Sequence, residues 1–378
     1  MILIIRRLLL GSAEGQMQSK PLMQRMHLDS TLVILLLLLV ACGCALLYSA
    51  SGQSVTLLKH QGVRLTAAFA AMIFLAQIPP RYYQRWASWL YCFGVVLLVA
   101  VLLFGHISNG AQRWLDLGFF QFQPAELMKI ALPIALAAFL SEREPPLPLG
   151  FILIALTILL IPFLLIIKQP DLGTALLIGA SGFFVIFLAG ISWRWLLLML
   201  GGIGICAPVI WQFLHAYQKK RILTLLNPES DPLGSGYHII QSKIAIGSGG
   251  FAGKGLLQGT QSNLEFLPER TTDFIFSVLG EEVGFVGVAI LLILYFLIIV
   301  RGCFIALNAE DQFSRLLAGS LVLTFFTYVF VNIGMVSGLL PVVGVPLPLI
   351  SYGGSSMVTL MAGFGILMSI QTHKKSVV

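Results

Sequence analysis

The run TLVILLLLLVACGCALLY, residues 31–48, carries no charge and is apolar on every helical face, and it decides the class of this protein. A helix needs roughly 18–20 such residues to cross about 30 Å of hydrocarbon. FILIALTILLIPFLLII, residues 151–167, reads the same way. Barrel strands would alternate apolar and polar residues in segments of about ten, which neither run does. Outward from these runs the whole chain agrees: 58% of its residues are hydrophobic and 10% are charged, against about one-quarter charged in a soluble domain. The expected fold class is an all-α polytopic membrane protein of about ten transmembrane helices. Spans fall near residues 31–50, 62–79, 87–106, 123–141, 149–167, 172–190, 193–215, 274–300, 313–337 and 349–371.

Charge sets the orientation. Arg81, Arg85, Arg143, Arg194, Arg301, Arg315, Lys374 and Lys375 all fall on the N-terminal side, which the positive-inside rule makes the cytoplasm. Residues 1–30 and 372–378 are then cytoplasmic tails, and 31–371 form a single membrane domain. Arg6, Arg7, Lys20 and Arg25 surround an apolar stretch too short for a signal-peptide core, and Met17, Met23 and Met26 are alternative starts. The net charge of +7 therefore reports topology rather than a nucleic-acid partner. Lys219, Lys220 and Arg221 oppose the rule from the outer face, either to meet an anion or as tolerated charges of a long loop. Cys42, Cys44, Cys92, Cys206 and Cys303 show no metal-ligand spacing and read as packing residues.

The large extracytoplasmic loop, residues 216–272 between helices 7 and 8, is long enough to be functional, with short amphipathic pieces on the membrane. Its stretch Gly247–Gly255 lacks the hydroxyl of a Walker A loop and the strand–turn–helix setting of a dinucleotide site. It reads as a hinge or as a turn able to cradle a pyrophosphate. Inside the spans, Glu126 and Lys129 lie three apart on one helical face and can neutralise each other. Glu281 and Glu282, expected about two turns into the eighth span, have no local cation and need a partner from elsewhere. Thr271-Thr272-Asp273 opens that span either as a helix cap or as a carboxylate reachable by headgroup and water.

The segments around these residues carry a resemblance. NPESDP (227–232), YHIIQSK (237–243), EFLPER (265–270) and DFIF (273–276) with Gly280-Glu281-Glu282 closely resemble the SEDS family of shape, elongation, division and sporulation proteins. So do RWL (113–115), QPAEL (123–127), KQPDLGT (168–174) and PLISYGGSS (348–356). YSASGQ (48–53) and LPER (267–270) resemble the elongation, RodA-type branch more than the division, FtsW-type branch. One departure is Thr271, where the family usually carries His.

The resemblance implies a multi-pass protein of the bacterial inner membrane that acts as a peptidoglycan glycosyltransferase. Its substrate would be lipid II, polymerised during elongation and rod-shape maintenance; a lipid II flippase, a division-type member and a non-catalytic scaffold are the alternatives. It maps the essential acid onto Asp273, here assigned as general base for the acceptor hydroxyl. Arg113, Lys129, Arg221 and Lys243 are candidates to face the pyrophosphate, and a magnesium or manganese ion suits the same task. Glu126, Asp171, Gln258, Ser351 and Gly353 complete the candidate substrate site. A helix N-terminus and nearby cations are expected to lower the Asp273 pKa. A class B penicillin-binding transpeptidase and other elongation-complex proteins are the implied partners.

Overall fold

The computed structural model describes residues 26–373 apart from 109–110, 117, 119–120, 215, 233, 264–265 and 268, and every count below refers to these. Most of the expected tails, with Lys374 and Lys375, and parts of the quoted loop segments lie outside them. Seven apolar helices come first: α1 Ser30–Ala50, α2 Val55–Ala76, α3 Pro80–Phe104, α4 Pro124–Leu140, α5 Leu149–Lys168, α6 Leu172–Leu188 and α7 Trp193–Phe213. The connection that follows is helical too: α8 Ala216–Leu226, α9 Ser235–Gly249 and the single turn α10 Thr260–Asn263. Then come α11 Ile275–Glu282, α12 Gly284–Leu307, α13 Gln312–Val336 and α14 Ser355–Thr372. Six of these, α1, α3, α5, α12, α13 and α14, are long and apolar enough to cross a membrane. The chain is a multi-pass membrane protein.

Local chemistry sets the helix ends. Asp29, Ser54, Asp171 and Asp311 accept from backbone N–H groups in the first turns of α1, α2, α6 and α13, satisfying donors that a helix leaves open. The bundle packs α14 along α2, α4 against α3 and α6, and α13 against α6 and α12. At the cytoplasm-assigned end, the His27 ring stacks on His373 with centroids 3.9 Å apart, so the two ends of the described chain lie on the same side.

Two boundaries differ from the hydropathy reading. The apolar run expected as one span from 274 is broken: α11 ends at Glu282, Val283 caps it, and Gly284, the first residue of α12, takes φ +69. A side chain on Gly284 would meet the backbone N of Gly253 at 2.3 Å, so the break is also a packing site. Glu281 and Glu282 therefore precede the long helix instead of lying inside it. The last span starts at Ser355, not at 349. Pro341, Pro346 and Pro348 deny the preceding stretch its helical donors while keeping it apolar, and 338–354 becomes a strap across one end of the bundle. A small antiparallel sheet, β1 His106–Ser108, β2 Ala111–Asp116 and β3 Gln121–Phe122, was not legible in the sequence.

Helix α7 stands apart, with no extensive packing partner among the described elements. Its Trp193, Leu197 and Ile205 are 72%, 64% and 81% exposed.

Candidate active site

The connection after α7 folds over the same end as the strap. Ser242 in α9 donates to the carbonyl of Val336 at the end of α13 at 2.7 Å, docking that helix on the bundle. The ring of His238 stacks on Phe274, 5.5 Å between centroids. Between α9 and the strap runs the segment 271–273, and the strap holds it by its main chain. Tyr352 N donates to Thr271 O at 2.8 Å, Ser351 Oγ to Thr272 O at 2.5 Å, and Asn332 Nδ2 to Asp273 O at 2.9 Å. Asn332, fully buried in α13, also donates to Val345 O at 2.7 Å and so ties strap and segment together. Tyr295 Oη on Pro348 O (2.7 Å) anchors the strap from α12.

Asp273 is not a cap. The N-cap position of α11 belongs to Phe274, which makes no side-chain capping bond. The expected lowering of its pKa is overturned as well: burial pushes the Asp273 carboxyl up to about 6, Glu269 adds to the rise, and Arg221 only partly opposes it. Desolvation penalises the charged form more than this cation favours it.

Arg113 on β2, Glu126 and Lys129 on α4, and Asp171 at the N-cap of α6 line one polar cavity of ≈ 180 Å³. Gly344 of the strap is also in its wall, and a Cβ there would lie 3.5 Å from Asp273 Oδ2. Lys129 Nζ donates to Glu126 Oε1 at 2.7 Å, and both side chains are almost fully buried. Glu126 Oε2 has no hydrogen-bond partner among the described residues. Arg113 reaches the carbonyl of Pro170, lies 3.8 Å from Asp171 Oδ2, and leaves Nε without a hydrogen bond among the described residues. Gln123 Nε2 fixes the same Asp171 oxygen at 3.1 Å. An apolar groove of ≈ 450 Å³ adjoins this cavity, sharing Glu126 and Ser355 with it and continuing along Leu90, Ile134, Ala362 and Ile366.

The other expected site residues divide. Arg221 in α8 feels Arg113, Asp171 and Asp273 electrostatically, and burial lowers its pKa. Its neighbours diverge: Lys220 pairs with Asp231 at 2.9 Å and Lys219 donates to Gln212 O at 3.3 Å. Lys243 lies against the Gly338 turn. Ser351 is buried, accepting from Leu347 N at 2.8 Å besides its bond to Thr272, so its hydroxyl is occupied in holding the strap. Gly353 lies in the strap beside Ser356. Gln258 is exposed on the turn after α9 and does not line the cavity.

That turn is clipped to the end of α11 by its main chain. Lys254 N and Gly255 N donate to the carbonyls of Glu281 and Glu282 at 3.0 and 2.9 Å. Gly253, at φ +78, lies so close that a Cβ would meet Glu282 O at 2.2 Å. The partners that Glu281 and Glu282 needed come from here and from α1. Lys254 Nζ meets Glu281 Oε1 at 2.7 Å, and Ser49 Oγ lies 2.6 Å from both oxygens of Glu282. Spacing alone does not point to Gln123, Tyr328 or Asn332; the signal was a costly polar group inside an apolar run.

Comparison with known proteins agrees over almost the whole chain. The profile of the family described as "Cell cycle protein" (FTSW_RODA_SPOVE) matches residues 28–376. The peptidoglycan glycosyltransferase MrdB of Escherichia coli is 55% identical over 94% of this chain and 96% of its own length. Stage V sporulation protein E of Bacillus subtilis is 38% identical over 92% of this chain and 98% of its own. Among solved structures, a chain of a peptidoglycan synthase complex that coordinates polymerization and crosslinking matches with TM-score 0.80 at 37% identity, covering 92% of this chain and 99% of that one. The rod shape determining protein RodA of Thermus thermophilus matches with TM-score 0.70 at 32% identity, over 92% of this chain and 98% of that one.

Proposed function

The chain belongs to the FtsW/RodA/SpoVE family of cell cycle proteins and is a RodA-type peptidoglycan glycosyltransferase, and on that premise we propose that it polymerises lipid II with Asp273 as general base. The observation that carries this reading is the junction of a polar cavity, lined by two cations and two carboxylates, with an apolar groove at Glu126 and Ser355. A lipid-linked sugar pyrophosphate has that same division into headgroup and tail.

Asp273 takes the proton from the 4-hydroxyl of the acceptor N-acetylglucosamine. The freed oxygen attacks the anomeric carbon of the donor N-acetylmuramic acid from the face opposite the leaving group. The bond from that carbon to the pyrophosphate oxygen breaks, its electron pair leaves with undecaprenyl pyrophosphate, and the anomeric configuration inverts. A carboxylate with a pKa of about 6 is mostly ionised at neutral pH and a better proton acceptor than an ordinary one. Arg113, Lys129 and Arg221 face the developing negative charge, and Lys243 lies farther along the docked helix as a headgroup contact.

A magnesium or manganese ion fits as one shared with the pyrophosphate. Among the described residues no three His, Cys, Asp or Glu side chains cluster, but Glu126 Oε2 and Asp171 face the same cavity. Magnesium is commonly held by one or two carboxylates plus substrate phosphates, and bound there it would supply charge to the leaving group.

The ten-span topology adds α2, α4, α6 and α7 to the six long helices, in one domain over 31–371. The stacked His27 and His373 support an even number of crossings, and the arginine bias puts both termini in the cytoplasm of the inner membrane. The connection 216–272 then covers the active site from outside, within reach of a class B penicillin-binding partner. The test is purified protein given lipid II. Asp273→Asn is expected to lose at least about 10²-fold in glycan product with folding unchanged, and polymerisation at the native rate would overturn the assignment.

A further inference from the structure

Lys129 separates two cavities. On one side is the polar cavity that faces the substrate; on the other, between α4, α13 and α14, is a small one of ≈ 30 Å³ that shares Ile130 and Thr359 with the apolar groove. Leu321, Phe325, Phe364 and Leu367 make most of the inner wall apolar. Into the same space face Thr324 and Tyr328, 6% and 2% exposed, whose hydroxyls have no hydrogen-bond partner among the described residues. They lie four apart on α13, on one face. A buried threonine in a helix ordinarily returns its hydroxyl to the carbonyl four residues back. Thr327 and Thr359 do so, at 2.8 and 3.0 Å, and Thr324 does not. Each unmade bond of this kind is costly in an interior.

An ammonium has three donors. Lys129 spends one on Glu126 Oε1 at 2.7 Å, and the face of the Tyr328 ring lies 5.2 Å from its nitrogen. The room on the inner side exceeds the roughly 10–15 Å³ that one water requires, and the polar partners that keep such a site wet are present.

We propose that the inner cavity holds one fixed water, bound by the Thr324 and Tyr328 hydroxyls, that accepts a second proton of Lys129 and leaves the third aimed at the substrate. Thr324 and Tyr328 are thereby positioning residues for glycosyl transfer. This rests on the reading of Lys129 as a cation for the leaving group.

The test uses the full chain with lipid II, in the variants Thr324→Val, Thr324→Ser and Tyr328→Phe. Thr324→Val keeps the shape and removes the hydroxyl; it is expected to lower kcat about tenfold while KM stays within about twofold, since the ammonium loses aim rather than charge. Tyr328→Phe is expected to act in the same direction, and Thr324→Ser to restore the rate. A map that resolves ordered water should show density within hydrogen-bond reach of Lys129 Nζ and Thr324 Oγ1 in the native chain and Thr324→Ser, and none in Thr324→Val. A dry cavity in the native chain, or native kcat in both Thr324→Val and Tyr328→Phe, overturns the proposal. Native activity of Lys129→Met would instead overturn the leaving-group reading, and the density remains to judge the water.

Discussion

Two lysine–glutamate pairs in this molecule have the same 2.7 Å separation and opposite surroundings. In the pair between Lys254 and Glu281, one carboxylate oxygen also accepts from Thr260 Oγ1 and from Gln261 N, both at 3.0 Å. That pair is saturated, and it clips the turn after α9 to α11. In the pair between Glu126 and Lys129, one carboxylate oxygen is unpartnered among the described residues, and the ammonium has the Tyr328 side chain as its other neighbour. The first works as a fastener, whereas the second keeps bonding capacity at the wall of a cavity. Distance alone does not separate a structural ion pair from one poised for a ligand; the count of satisfied atoms does.

The largest expected break falls on the cavity pair. Glu126→Ala leaves a buried ammonium unpaired and should cost about 3–5 kcal/mol of stability, read by denaturation, together with more than about 10²-fold in polymerisation. The double change Glu126→Met with Lys129→Met should recover the stability, since apolar replacement of a buried pair is close to neutral, and should stay inactive. Next comes titration. Asp273 acts as a base only when ionised, so the rate should fall about tenfold per unit as pH drops below about 6. Glu269→Gln removes a neighbouring negative charge and should move that limb to lower pH. The sign for stability is the reverse of an ordinary paired carboxylate. The folded form holds this proton more tightly than the unfolded chain, so the contribution is fullest below about pH 4 and declines as pH rises through about 6.

On the fastened side, Gly253→Ala forces a side chain into φ +78 against Glu282 O and should cost about 1–3 kcal/mol, seen as a lower Tm. The smallest effect is Lys254→Met. Its lysine is 27% exposed and the buried Glu281 keeps its donors from Thr260 and Gln261, so about 1.5 kcal/mol is expected, with polymerisation close to native. A loss of activity there as deep as that of Glu126→Ala would erase the distinction between the two pairs.

The spans were legible because lipid leaves a helix no choice but to be apolar all round, and Glu126 with Lys129 because three residues apart is one helical face. The rest depended on distance along the chain. Glu282 finds Ser49 across 233 residues, and the carbonyl of Asp273 finds Asn332 across 59. Hydropathy also could not see the interruption at Val283, since the residues on both sides remain apolar. Asp273 itself was found through resemblance, and its raised pKa followed only from burial beside Glu269.

The strap and Asn332 of α13 together grip carbonyl oxygens, one from each of residues 271–273, and no side chain of the segment. The aspartate is thus presented by a mould that is blind to the identity of its two predecessors. Such a mould gives evolution licence: position 271 can change its side chain and the carboxylate two places on keeps its address.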